Sequence, residues 1–321
     1  MKRLRVGHCL AAILLMLGAG TAAAQYPERA VKIIVSLPPG SGADTTARYI
    51  GQHLSQKFGQ PFVVENKPGA NSFIAAKQVA EAVPDGYTLF VASNSPMVTN
   101  AAVFKSLPYD PIKDFAPVAR IARFPMVLAV PANSPYKTLD SLVDAARKAP
   151  GKLNYASGTP TYQVALELFH ESRGIRATPI PYKGTSLAMA DLAAGSVDYT
   201  MAEVSAVMPL VRGGKVRALA VSSPERLKDL PGVPTIAEAG SKGYETFAWT
   251  GVFLPAKAPQ AVVDKLSQAV RELLMTQEST RFIETLGGSV FPGGPQQLRD
   301  FQLSEIDRTR RIVKTAGIHQ E

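Results

Sequence analysis

The stretch Val31-Lys32-Ile33-Ile34-Val35-Ser36-Leu37-Pro38-Pro39-Gly40-Ser41-Gly42-Ala43-Asp44-Thr45-Thr46 sets the architecture. Val31–Val35 is apolar and β-branched, which predicts a buried strand. Beyond the turn, Ala47, Ile50, Leu54 and Phe58 recur at helical spacing, and Gly59 closes the pattern. The unit is therefore strand, glycine-containing turn, helix. Gly40 and Gly42 allow a tight turn with exposed N–H groups, and the helix dipole favours an anion there. The same residues also fit a plain capped helix start, with Asp44 or Thr45 as N-cap. No Gly-Lys-Ser/Thr follows, so this is not a P-loop, and the dinucleotide glycine spacing is absent.

A second unit repeats the design. The strand Leu153–Ala156 leads through Ser157-Gly158-Thr159-Pro160-Thr161-Tyr162 into a helix carrying Val164, Leu168 and Phe169. Ser157, Thr159, Thr161 and Tyr162 offer hydroxyls and Gly158 a bare amide. Further strands are expected at Thr88–Val91, Met126–Val130, Val197–Met201, Val216–Val221 and Thr250–Leu254. Helices are expected around Leu142–Ala146, over Leu187–Ala194 and from Gln260 onward. This alternation predicts an α/β fold of parallel sheets covered by helices, with ligands beyond the carboxyl ends of strands. No repeat, low-complexity tract or long linker divides the chain. Two lobes joined by short crossing segments are expected, with the two loops placed to grip the ends of one small carboxylate.

The chain begins MKRLRVGHCLAAILLMLGAGTAAA, with Lys2, Arg3 and Arg5 ahead of the apolar run Leu10–Leu17 and Ala22-Ala23-Ala24 at its end. This predicts a cleaved secretory signal peptide over residues 1–24. Removing those 24 residues takes the length from 321 to 297 and, with three cations and no acid lost, the formal net charge from +9 to +6. Cys9 is the one cysteine, so the exported chain carries no disulfide and no cysteine-based metal site. A hydrophobic content of 46% against 19% charged residues fits a packed protein rather than a disordered one.

Catalytic motifs are lacking. No Gly-x-Ser-x-Gly elbow or His-Glu-x-x-His occurs, and His53, His170 and His319 have no nucleophile in a recognisable motif beside them. The expectation is no enzyme, no metal and no cofactor. Arg308, Arg310 and Arg311 form the densest basic cluster, read as a solvated helix face; no nucleic-acid partner is expected. Tyr244 and Trp249 read as packing at a lobe junction.

The run Val64-Glu65-Asn66-Lys67-Pro68-Gly69-Ala70, followed by Pro84-Asp85-Gly86-Tyr87-Thr88-Leu89, resembles the solute-binding proteins of tripartite tricarboxylate transporters, the Bug family. Ile180–Gly184, Asp191–Gly195, Arg217–Val221, Pro231–Thr235 and Trp249–Ala256 match in the same order. The resemblance implies a periplasmic binding protein of the two-lobe, type II-like kind. Each lobe would be a β-sheet flanked by helices, and two crossing segments would form the hinge. It implies that a carboxylated solute is held by Pro39, Gly40, Ser41, Gly42, Ala43 and Asp44 from one lobe, and by Ser157, Gly158, Thr159, Thr161 and Tyr162 from the other. The Ser93-Asn94 turn and the segment with Tyr182, Gly184 and Thr185 would border the cleft. The two loops read from the residues alone fall on the same positions.

The chain departs from the pattern in its first loop, where Ser41 separates the glycines, and in its second, which carries Tyr162. The tyrosine fits either a ligand with an apolar body or a narrower cleft. Glu203, after the strand Val197–Met201, fits either a cleft residue or a solvated loop carboxylate. The expected division is lobe 1 from 25–124 plus 248–321 and lobe 2 from 125–247, in a monomer. The expected function is capture of a mono-, di- or tricarboxylate or aromatic acid for integral membrane transporter subunits. A ligand-binding component of a signalling system and an exported hydrolase are the competing readings.

Overall fold

The computed structural model describes residues 26–318 and 320. The leader over residues 1–24, with Cys9, and His319 lie outside the described residues. The described chain forms two sheets that share one long strand. In chain order come β1 (Val31–Val35), α1 (Gly42–Phe58), β2 (Phe62–Asn66), α2 (Phe73–Ala80), β3 (Thr88–Ser93), a π-helical turn (Ser95–Thr99) and α3 (Asn100–Val103). Then follow β4 (Phe115–Pro131), α4 (Leu139–Lys148), β5 (Asn154–Ser157), α5 (Pro160–Arg173), β6 (Thr178–Pro181), α6 (Thr185–Ala194), β7 (Tyr199–Glu203), α7 (Val204–Arg212) and β8 (Val216–Val221). The chain ends with β9 (Phe247–Pro255), α8 (Gln260–Leu274), α9 (Gln277–Thr285), β10 (Ser289–Gly293) and α10 (Pro295–Thr315).

The first sheet runs β2-β1-β3-β9-β4, with β10 also on β4; the second runs β4-β7-β5-β6, with β8 also on β4. Among the named strands of the described residues, parallel pairing joins β2-β1-β3 and β6-β5-β7. The expected all-parallel sheets are thus mixed sheets. The segments that pass between the two sheets enter them as antiparallel strands, β4 against β9 and β7.

β4 changes sheets in mid-strand. Phe124 and Pro125 pair with Ala248 and Phe247, whereas Met126 and Val127 pair with Glu203 and Ala202 on β7. Pro125 has no N–H to give to a ladder, so the exchange falls where one hydrogen bond is missing in any case. Ser222 ties this point to the second crossing segment. Its buried hydroxyl accepts from the Met126 N–H at 2.8 Å and donates to the Thr246 carbonyl.

Both faces of the first sheet are covered, which is why its strands read as unbroken apolar runs. Ile33 packs with Ala47, Ile50 and Leu54 of α1 and Val263, Leu266 and Val270 of α8. Its neighbour Ile34 points to the opposite face, with Ala75 and Val79 of α2 and Leu298 and Ile306 of α10. The second sheet has its own core around Leu128, Tyr155, Leu166, Phe169 and Tyr199. Among the described residues no helix is long and apolar enough to cross a membrane.

Candidate functional site

The β1–α1 and β5–α5 turns are built on the same local chemistry. Ser41 is the N-cap of α1, its Oγ accepting from the Asp44 N–H, and Thr159 is the N-cap of α5, its Oγ1 accepting from the Tyr162 N–H. The capping position on α1 thus belongs to Ser41 and not to Asp44 or Thr45. Ser41 sits in the extended conformation that a cap requires, with φ −68° and ψ 159°. Each cap leaves further first-turn amides unpaired within the helix, which makes both starts attractive to anions.

Asp44 is committed elsewhere. Its Oδ2 accepts from the Gly40 N–H at 2.9 Å and from Arg48 Nε at 3.1 Å, and its Oδ1 accepts from Asn66 Nδ2 at 2.9 Å. The side chain is buried. Burial pushes its pKa up, but the hydrogen bonds from Arg48, Gly40 and Asn66 outweigh it and hold the carboxyl below its ordinary value. Asp44 pins the loop to β2 and so shapes the start of α1. Gly40, at φ +81°, supplies the left-handed turn this requires.

On the second loop the Ser157 Oγ donates to the Thr159 carbonyl at 3.1 Å. Gly158 is needed for close approach: a Cβ there would lie 2.7 Å from the Thr185 Cα. Gly184 and Thr185 therefore back the loop. The Tyr182 hydroxyl, between β6 and α6, donates to Asp191 on α6 at 2.7 Å.

The two turns converge on a small space of about 30 Å³ lined by Leu37, Ala43, Ser93, Asn94, Ser95, Phe124, Thr159, Thr161, Tyr162, Glu203 and Ala248–Thr250. Of the residues expected at the site, Ala43, Ser93, Asn94, Thr159, Thr161, Tyr162 and Glu203 line it. Gly42 lies against Glu203, Pro39 and Gly40 are exposed at the outer side of the turn, and Ser157 and Gly158 are buried behind. Asn94 is partly spent on structure, its Oδ1 accepting from the Trp249 N–H at 2.7 Å and its Nδ2 donating to the Phe247 carbonyl at 3.1 Å.

Glu203 is the last residue of β7 and is buried, so the solvated-loop reading is wrong. The strand runs two residues beyond Met201 because Glu203 and Ala202 pair with Met126 and Val127 of β4. Burial pushes its carboxyl up to about 7, with the neighbouring Tyr162 hydroxyl pulling the other way.

Sequence reasoning missed Trp249 and Thr250 as lining residues. Trp249 packs as expected, edge-on to Phe301 at 5.4 Å. Its Nε1, and the Thr250 Oγ1, are nevertheless buried without a protein partner. Buried donors of this kind are normally satisfied, so each calls for a water or a ligand. Larger depressions exist, one of about 950 Å³ beside the crossing strands. It holds none of the expected site residues. Among the described residues no cluster of three or more His, Cys, Asp or Glu is placed to hold a metal ion.

Two helix-flanked sheets, a strand shared between them, and capped helix starts meeting over a small cleft define a two-lobe solute-binding protein. The chain belongs to the tripartite tricarboxylate transporter family receptors, which it matches over residues 46–318. It is 32% identical to protein BugT of Bordetella pertussis over 94% of this chain and 93% of BugT. Among solved structures it is similar to Rpa4515 of R. palustris with adipate, at 36% identity and TM-score 0.87, covering 92% of this chain and 99% of that one. It is also similar to MatC (Rpa3494) of Rhodopseudomonas palustris with bound malate, at 33% identity and TM-score 0.82, covering 90% and 100%. The family is one of receptors and not of enzymes.

Proposed function

We propose that this receptor captures a small carboxylate between the β1–α1 and β5–α5 turns and delivers it to the membrane subunits of a tripartite tricarboxylate-type transporter. The observation that carries the reading is the convergence of two capped helix starts on one small space, lined by Ala43 from the first and by Thr159, Thr161 and Tyr162 from the second. The solute carboxylate sits on the first-turn amides of α1, at Gly42 and Ala43. Thr159 of the other lobe, with Thr250, takes its remaining polar atoms. The adipate and malate named for two solved relatives support this class of solute.

The lobes are residues 25–124 plus 248–321 and residues 125–247, and residues 1–24 direct export to the periplasm before removal. The space of about 30 Å³ is far below the roughly 300–1,000 Å³ usual for small-molecule sites. Solute entry therefore requires the lobes to part about Pro125–Met126 and Thr246–Phe247. Each charge-assisted hydrogen bond contributes about 1.5–3 kcal/mol, and micromolar affinity needs roughly 8 kcal/mol net.

A thermal-shift screen with mono-, di- and tricarboxylates, aromatic acids and amino acids tests the proposal. A ligand at 100 times its Kd stabilises by about 2.7 kcal/mol. No shift with any carboxylate overturns the reading.

A further inference from the structure

Glu203 belongs to the second sheet, yet it reaches the helix start on the first. Its Oε2 lies 3.2 Å from where a Cβ on Gly42 would stand, in the first turn of α1. That turn is where the proposed solute carboxylate sits, so an ionised Glu203 and the solute would place two negative charges at one helix start. Among the described residues nothing nearby neutralises them. From α5 comes the Tyr162 hydroxyl, an acid only at high pH, since burial raises it well above its ordinary value. From α1 comes Asp44, with Arg48 bound to it and to Asn66. β4 and β9 contribute Phe124, Ala248, Trp249 and Thr250 to this space, and β3 contributes Ser93, none of them charged.

We propose that Glu203 couples solute capture to proton uptake: a carboxylate settles on the α1 start only when the Glu203 carboxyl is neutral. Above neutral pH each solute then brings one proton from the solvent onto a Glu203 oxygen. No covalent bond other than that O–H forms. The neutral acid donates a hydrogen bond where the carboxylate would repel, so Glu203 also sets which total solute charge the cleft accepts. In the free protein burial raises this carboxyl to about 7, with the Tyr162 hydrogen bond acting oppositely, which puts the coupling near neutral pH. This inference rests on carboxylate capture at α1.

The test is calorimetric titration of the purified protein with adipate, malate and benzoate at pH 6.5, 7.5 and 8.5. Each is run in two buffers of unlike ionisation enthalpy, so that protons taken up per solute are counted. The expected result is affinity falling toward tenfold per pH unit above about 7. The proton count should approach one at pH 8.5. Glu203→Gln should bind with flat affinity and a count near zero. Wild-type binding that is flat with pH and takes up no proton overturns the coupling alone, and this result needs no variant to fold. If none of the three binds at any pH and the wider screen is also silent, carboxylate capture itself is wrong and the coupling falls with it.

Discussion

Thr161 on α5 and Thr99 in the turn after β3 share a hydroxyl hydrogen bond of 2.9 Å that joins the helical layers of the two sheets. Ser95 makes a second bond to the same Thr161 oxygen at 3.1 Å. Beside them Val164 of α5 packs with Ala102 and Val103 of α3 and Ile312 and Val313 of α10. These contacts join α5, packed on the second sheet, to elements packed on the first, so they hold the two together. Thr161→Val keeps the shape and removes both bonds. At about 0.5–1.5 kcal/mol per bond, solute affinity should fall by roughly tenfold, with little change in the stability of the open protein. Titration calorimetry and small-angle scattering check this; unchanged affinity with an unchanged radius of gyration would show that Thr161 does not hold the lobes.

Asp44→Ala should be costly for a different reason. It leaves the Gly40 N–H, Asn66 Nδ2 and the Arg48 guanidinium without the oxygens they now donate to. The loss should be about 2–4 kcal/mol of folding stability, because buried polar groups are left unpaired. Urea unfolding measures it. Asp44→Asn should recover part of the loss, since an amide oxygen still accepts from Gly40. A fully stable Asp44→Ala protein that merely fails to bind would instead place Asp44 in contact with the solute.

The reach of the sequence differs between these two residues. Strand, turn and helix around Asp44 were legible because capping is local: Ser41, the glycines and the apolar spacing of Ala47, Ile50 and Leu54 lie within one segment. The residue doing the capping was still misread, since Ser41, Asp44 and Thr45 are all good caps and only φ and ψ decide among them. Glu203 could not be placed in that way. Its burial depends on Met126, 77 positions earlier, pairing with it across β4. The 17-residue length of β4 was hidden by Pro117 and Pro125 and by the register shifts between Pro117 and Ala119 and between Arg120 and Ala122. The roles of Ser95 and Thr99 are likewise set by lobe contact, which no local pattern encodes.

Stability should depend on pH in two opposed ways. The Glu203 pKa is raised in the folded protein, from 4.5 to about 7, so the folded state binds the extra proton between these values. Its contribution is fully present below about pH 4.5 and is lost as pH rises through about 7. The loss is about 3 kcal/mol. Asp44 is lowered from 3.8, so its contribution is present above that value and fades as pH falls through the depressed one. Urea midpoints of the solute-free protein should therefore decline from pH 5 to pH 8. Glu203→Gln should flatten that decline, and a variant that keeps the wild-type slope would assign it to another group.

Two glycines separate strain from collision. Gly40→Ala meets no atom but must hold φ near +81°, which costs about 1 kcal/mol. Gly158→Ala puts a methyl 2.7 Å from the Thr185 Cα and 3.0 Å from its N, both backbone atoms that cannot swing aside. The 184–185 segment must shift, and with it the turn that carries Thr159. Gly158→Ala should cost more stability, about 1–3 kcal/mol, and should also weaken solute binding. Equal effects of the two substitutions on folding and binding would mean that the loop yields more readily than its packing implies.

Thr250 offers the sharpest separation of binding from folding. Its Oγ1 is buried with no protein partner, on a strand locked between β3 and β4. Thr250→Val replaces that hydroxyl with a methyl of similar shape. A hydroxyl serving only the fold would be hydrogen-bonded, and losing it would destabilise the protein. An orphaned hydroxyl costs desolvation in the folded state, so its removal should leave stability unchanged or raise it by up to about 1 kcal/mol. If the hydroxyl instead serves the solute, affinity should fall by about 10-fold or more, because a buried polar atom of the ligand then goes unpaired. The pair of measurements is urea unfolding without solute and calorimetry with it. A variant that loses stability but keeps its affinity would make Thr250 a structural residue and remove it from the cleft's donors.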